Sequence, residues 1–160
     1  MSLYLLGVNN YLYGISMIAL SYVSCATQRP INEDLMSLLK VCHKNNTATG
    51  ISGLLLYNGK GTFVQILEGD DEKVDELYLK ISSDPRHTRI NCIYRKAIDK
   101  RDFSNWKMGF RNLSNESMEH IEGFSSFMNS SDTEGYLLDN SEFVSTIFSH
   151  FKNLSQEVIL

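Results

Sequence analysis

The stretch TGISGLLLYNGKGTFVQILEG, residues 49–69, constrains the fold more than any other part of the chain. Apolar and small residues alternate on both sides of Asn58-Gly59, a dipeptide that tolerates the positive φ of a tight hairpin turn. The pattern predicts two antiparallel strands, over about 50–57 and 61–68. An amide, Gln65, stands inside the second strand between Val64 and Ile66. A buried carboxamide without partners costs about 1–3 kcal/mol, so something in the fold has to meet it.

Elements on either side of the hairpin follow from periodicity. MIALSYVS, from Met17, puts Ile18, Leu20, Tyr22 and Ser24 on one face of a strand and Ala19, Ser21 and Val23 on the other. Pro30 ends that run, and Asn32 suits an N-cap with Glu33 and Asp34 at the positive end of a helix. Leu35, Leu38, Leu39 and Cys42 recur at helical spacing, which predicts a helix over about 32–44. After Gly69, Asp70, Asp71 and Glu72 open a second helix whose apolar stripe is Val74, Leu77, Tyr78 and Ile81. Asp84-Pro85 stops it, and RINCIYRKAI then reads as a fourth strand.

The order is βαββαβ, an α+β chain of ferredoxin-like type with an added short strand. In that topology the third strand lies between the first and second, which makes Tyr22 and Gln65 cross-strand neighbours on the helix-covered face. Residues 112–160 read as a C-terminal extension of two helices joined by NSSDTEG. Met118, Ile121 and Ser125 mark one helix; Val144, Ile147, Phe148 and Phe151 mark the other.

At 160 residues with 42% hydrophobic and 21% charged, the chain fits one globular domain with a proper core. A net charge of -4 offers no electrostatic footprint for nucleic acid or an anionic membrane. Cys25, Cys42 and Cys92 are odd in number and widely spaced, which argues against a disulfide framework or a zinc site and for a reducing cytoplasm. Residues 1–16 form an uncharged leader in which Gly7, Asn9, Asn10 and Gly14 break the apolar run, so a membrane span is not expected there. Met17 is read as a natural start or an old domain boundary.

The polar side chains that pattern alone would not bury are Tyr22, Asn45, Asn46 and Gln65. Three carboxamides and a phenol supply donors and acceptors but no strong acid, base or metal ligand, a set suited to a neutral heterocycle. LSYVS, KNNTATGISGLLLYNG, FVQILEG, SSDPRHT and FSNWKMGF, in this order, together resemble the BLUF family, the blue-light sensors using FAD, over residues 17–111.

The resemblance implies a photoreceptor without catalysis of its own. FAD would be held noncovalently between the two helices, with FMN or riboflavin able to replace it in a recombinant preparation. It implies that Tyr22 is the light-driven electron donor and Gln65 the amide that rearranges between Tyr22 and the flavin. Asn46 would bond the ring edge, with Asn45 beside it, Arg86 and His87 near its polar edge, and Ile51 and Ile66 as apolar walls. Trp106 and Met108 match the segment that passes the change outward, to an unidentified protein partner or within a homo-oligomer. Lys44, where many relatives carry Arg, and the leader depart from the family pattern.

Two other readings fit the same element order. One is an acylphosphatase-like hydrolase, disfavoured because CATQRPIN has no glycine to cradle a phosphate. The other is a cofactor-free ferredoxin-like regulatory module.

Overall fold

In the computed structural model, which describes residues 16–152 and 154, the first strand begins where the apolar alternation does. The elements are β1 (Met17–Ala26), α1 (Asn32–Thr49), β2 (Ser52–Tyr57), β3 (Thr62–Asp70), α2 (Asp71–Ser82), β4 (His87–Ala97) and β5 (Gly109–Asn112). A 3-10 turn over Leu113–Asn115 and three helices follow: α3 (Phe124–Asn129), α4 (Thr133–Asp139) and α5 (Ser141–Phe151). The proposed leader lies outside the described residues, apart from Ser16.

The five strands are ordered β4-β1-β3-β2-β5. All pairings are antiparallel except β5 on β2, the added short strand. β3 lies between β1 and β2 as the ferredoxin-like order requires, and Tyr22 pairs directly with Gln65 across β1 and β3. Strand alternation then sorts the side chains into two cores. On the front face Ile18, Leu20, Tyr22, Leu55 and Leu67 pack under Leu35 and Leu39 of α1 and Val74 of α2. On the rear face Ala19, Val23, Leu54, Leu56, Val64 and Ile66 meet the C-terminal helices.

Three expectations change. α1 runs five residues beyond its expected end, because the stripe of Leu35, Leu39 and Cys42 continues through Asn46 and the stop is Gly50, whose φ of 72° closes the helix with its N–H on the Asn46 carbonyl. β4 begins at His87, two residues before the RINCIYRKAI run expected to form it. Among the described residues the extension has three helices where two were expected: Met118 and Ile121 lie before α3, outside any helix, and NSSDTEG contains the start of α4, capped by the Asp132 carboxylate accepting from the Gly135 N–H.

Candidate functional site

Between α1 and α2, above the centre of the sheet, lies a cavity of about 200 Å³ lined by Tyr22, Gln65, Asn45, Asn46, Cys42 and Met108 among others. A second cavity of about 400 Å³, toward the start of α1, shares Leu38, Val41, Phe63, Arg86 and His87 with it, so the two are ends of one groove. Its far end carries Gln28 and Arg29.

The register of β1 on β3 brings the phenol and the amide together: the Tyr22 hydroxyl donates to Gln65 Oε1. Gln65 Nε2 donates to Met108 Sδ at 3.0 Å, so the buried amide is bonded at both ends without any backbone partner. Met108 is placed by β5, whose register on β2 sets Leu54 beside Gly109 and Leu55 beside Phe110. Burial, with smaller contributions from Cys42 and Tyr78, holds the Tyr22 phenol well above the ordinary tyrosine range, so it is protonated at every physiological pH. Tyr78 of α2 leans on the Tyr22 ring with centroids 5.4 Å apart. Burial likewise pushes the Cys42 thiol up, and it stays a neutral wall of the cavity.

Asn46 is buried, and its Nδ2 donates to the Lys107 carbonyl at 2.5 Å. The second N–H and the Oδ1 of that amide stay available to a ligand. Arg86 is drawn to Asp84: its Nε and Nη2 and its backbone N–H all bond that carboxylate, whose pKa falls to about 2. Burial depresses the His87 imidazole, a tendency opposed by Asp84 and reinforced by Arg86. The ring meets the Ile81 backbone, and its Nε2 is buried at the groove wall without a partner among the described residues. A neutral imidazole so held presents an acceptor to whatever fills the groove.

Not every expected residue converges here. Ile66 is on the rear face, because successive strand residues alternate and Gln65 takes the front position. Ile51 belongs to the front core but does not line the groove. Trp106 is also on the rear face, edge-on to Phe103 at 5.8 Å, while Met108 faces Gln65. The indole lies across Gly109, where a Cβ would fall 1.9 Å from the ring, so only glycine fits.

Among residues not expected is His43, whose Nε2 is 2.7 Å from the Met108 carbonyl. Its position three residues before Asn46, on the same helical face, was the available signal.

The groove suits a flavin on its own chemistry. Its walls are apolar, the convergent polar groups are carboxamides and a phenol, and an orphaned imidazole acceptor awaits a donor. Comparison with known proteins agrees. The family model for BLUF, sensors of blue-light using FAD, matches residues 17–109. Photoactivated adenylate cyclase subunit beta of Euglena longa is 36% identical over 88 residues, which is 55% of this chain and 10% of that protein. Subunit alpha of Euglena gracilis is 39% identical over 85 residues, 53% of this chain and 8% of that protein. This chain thus spans about a tenth of the length of those relatives.

Among solved structures, the photo-activated state of BlsA gives a TM-score of 0.70 at 26% identity, covering 89% of this chain and 99% of that one. A bacterial light-regulated adenylyl cyclase gives 0.67 at 35%, covering 88% and 42%. BlrB, a BLUF protein in its dark state, gives 0.62 at 26%, covering 79% and 97%. The chain belongs to the BLUF family, flavin-binding sensor modules for blue light that are not themselves enzymes.

Proposed function

We propose that this protein senses blue light through FAD held in the groove between α1 and α2, with Tyr22 and Gln65 as its photoactive pair and a protein partner or a second copy receiving the signal. The observation that carries this reading is the buried Tyr22 hydroxyl donating to a Gln65 amide that opens on the groove. When bound, the flavin supplies a light-driven acceptor for one electron and one proton.

Tyr22 is suited to give up both, since its proton is already directed along the bond to Gln65 Oε1. Gln65 is suited to exchange its two ends, because neither is tied to the backbone and a carboxamide can donate or accept from either side. Asn46 and Asn45 would hold the ring's polar edge, and His87 Nε2 would accept from a ligand hydroxyl. FAD is favoured over a shorter flavin by the continuation of the groove past Arg86 toward Arg29, two cations for a diphosphate.

Output is assigned to the rear face. From Met108 the chain leads back to Trp106, Trp106 touches Phe103, and Phe103 meets Phe148 of α5 with centroids 6.2 Å apart.

Absorption spectra in the dark and after blue illumination test the whole reading. The purified protein should release flavin on denaturation and show a small reversible red shift, the mark of a changed hydrogen bond and not of a new covalent one. Tyr22→Phe should keep the flavin and lose the shift completely, and Gln65→Leu should do the same. A normal photocycle in either variant would refute the role given to that residue.

A further inference from the structure

The segment just before β5 that presents Met108 to Gln65 is held in an unusual way. Three successive carbonyls are each bonded: that of Trp106 by the Gly53 N–H at 2.9 Å, that of Lys107 by Asn46 Nδ2 at 2.5 Å, and that of Met108 by His43 Nε2 at 2.7 Å. Two of the three donors are side chains of the same helical turn of α1, spaced three residues apart so that both face β5. A strand entering a sheet is ordinarily fixed by backbone partners alone. Here β5 is only four residues long and, among the described residues, pairs on one side only, with β2, so its entry depends on α1.

We infer that His43 is a positioning residue of the photocycle: by holding the Met108 carbonyl it sets the Met108 thioether against Gln65 Nε2 and stabilises the dark arrangement of the amide. The inference rests on the role proposed for Gln65. Its physical basis is directional. A thioether is a weak acceptor, and its bond to an amide N–H survives only if the sulfur is held in place. Met108 is flexible along its side chain, so the fixed point is its backbone. Asn46 faces the groove as well as Lys107, whereas His43 is outside the groove lining and acts on the strand only. Losing the His43 bond should therefore weaken the dark arrangement while leaving the flavin contacts intact. Because the sulfur contact re-forms on the way back to the dark arrangement, its weakening should slow the return.

The test compares His43→Phe, which removes the donor, with His43→Gln, whose amide N–H can reach the same carbonyl. Dark recovery after a blue flash and the methionine-methyl NMR spectrum of the flavin-loaded protein in the dark are measured, with the Met108 peak assigned through Met108→Leu. His43→Phe should recover about threefold or more slowly, a factor in keeping with one weak hydrogen bond, and should displace the Met108 methyl peak. His43→Gln should recover within about twofold of the parent, with the peak restored. Unchanged recovery and an unmoved peak in His43→Phe would overturn the inference. So would equal changes in both variants, since the ring's bulk and not its hydrogen bond would then be responsible. If the parent protein itself showed no photocycle, the reading of Tyr22 and Gln65 would fall, while the methyl peak would still decide whether His43 holds Met108.

Discussion

The two faces of one sheet solve opposite problems. The rear face is filled: Phe103, Phe124, Phe127, Phe143, Phe148 and Phe151 interlock over Ala19, Val23, Leu54 and Ile66. The front face is deliberately incomplete, with α1 and α2 held apart over a groove and with Tyr22, Gln65 and Asn46 placed where a core would have aliphatic groups. The difference teaches where stability and function are invested. Dry aromatic packing on one side can support a face that buries polar groups and leaves a ligand-sized gap on the other.

The sharpest way to break this contrast is to damage the filled face. Phe127 is 1% exposed and contacts both Tyr136 and Phe143. Phe127→Ala should cost about 3–5 kcal/mol, the sum of lost transfer energy and the cavity left behind, read as a shift in the chemical denaturation midpoint. Flavin content of the folded fraction should hold. If flavin binding falls while stability does not, the two faces are not separable as described.

Damage to the incomplete face should show the reverse. Asn46→Ala removes the amide that bonds Lys107 and faces the groove, leaving a carbonyl unpaired. Flavin affinity should drop by about 1–3 kcal/mol, measured by titration of the apoprotein, with a smaller change in the unfolding midpoint of the apo form.

Much of this contrast was legible in the sequence, for reasons that differ by residue. Tyr22 and Gln65 could be paired because strand period and βαββαβ order together fix which residues of β1 and β3 meet. The end of α1 is hard to read because Asn45-Asn46 carries a turn signal as strong as its helical one, and only the following Gly50 decides between them. For Ile66 the family resemblance implies a groove wall, whereas strand alternation puts it on the face opposite Gln65, where it packs. The third C-terminal helix was hidden by its length, since α4 has seven residues and too little periodicity to stand out. His43 shares a helical face with Asn46, but that spacing points to Met108 only through the register of β5, which is set by contacts far along the chain.

A boundary between the two faces offers a smaller and pH-dependent effect. Glu68 is 1% exposed on the rear side of β3, and its two carboxylate oxygens accept the Asp102 and Phe103 N–H groups at 3.0 and 2.9 Å. It thereby pins the loop that carries Trp106 toward β5. Burial raises its pKa more than these two bonds and Arg101 lower it, with Asp102 adding a further rise. The folded state therefore holds the proton more tightly than the unfolded one, and the stability Glu68 supplies falls as pH rises from the ordinary glutamate value through its raised folded value. Glu68→Ala should flatten that slope. It should also leave the two amides exposed to faster hydrogen exchange, at a cost of about 1–3 kcal/mol.

The smallest effect belongs to the rim of the groove. Asp84 is bonded by the Arg86 guanidinium and backbone N–H, first through the side chain and then the backbone, which lowers its pKa from 3.8 to about 2. The sign is opposite to that of Glu68. Asp84 stabilises the fold above its unfolded value of 3.8 and loses that contribution as pH falls toward about 2. Arg86 is largely exposed, so solvent screening limits the pair to less than about 1 kcal/mol. Arg86→Leu should return the Asp84 carboxyl toward 3.8 in an NMR titration while shifting the unfolding midpoint little at neutral pH. The same variant should weaken binding of FAD more than of riboflavin, because Arg86 lines both cavities of the groove and only the dinucleotide carries phosphates to meet it. Equal weakening for both flavins would confine Arg86 to the turn at Asp84 and leave the far end of the groove without a part in binding.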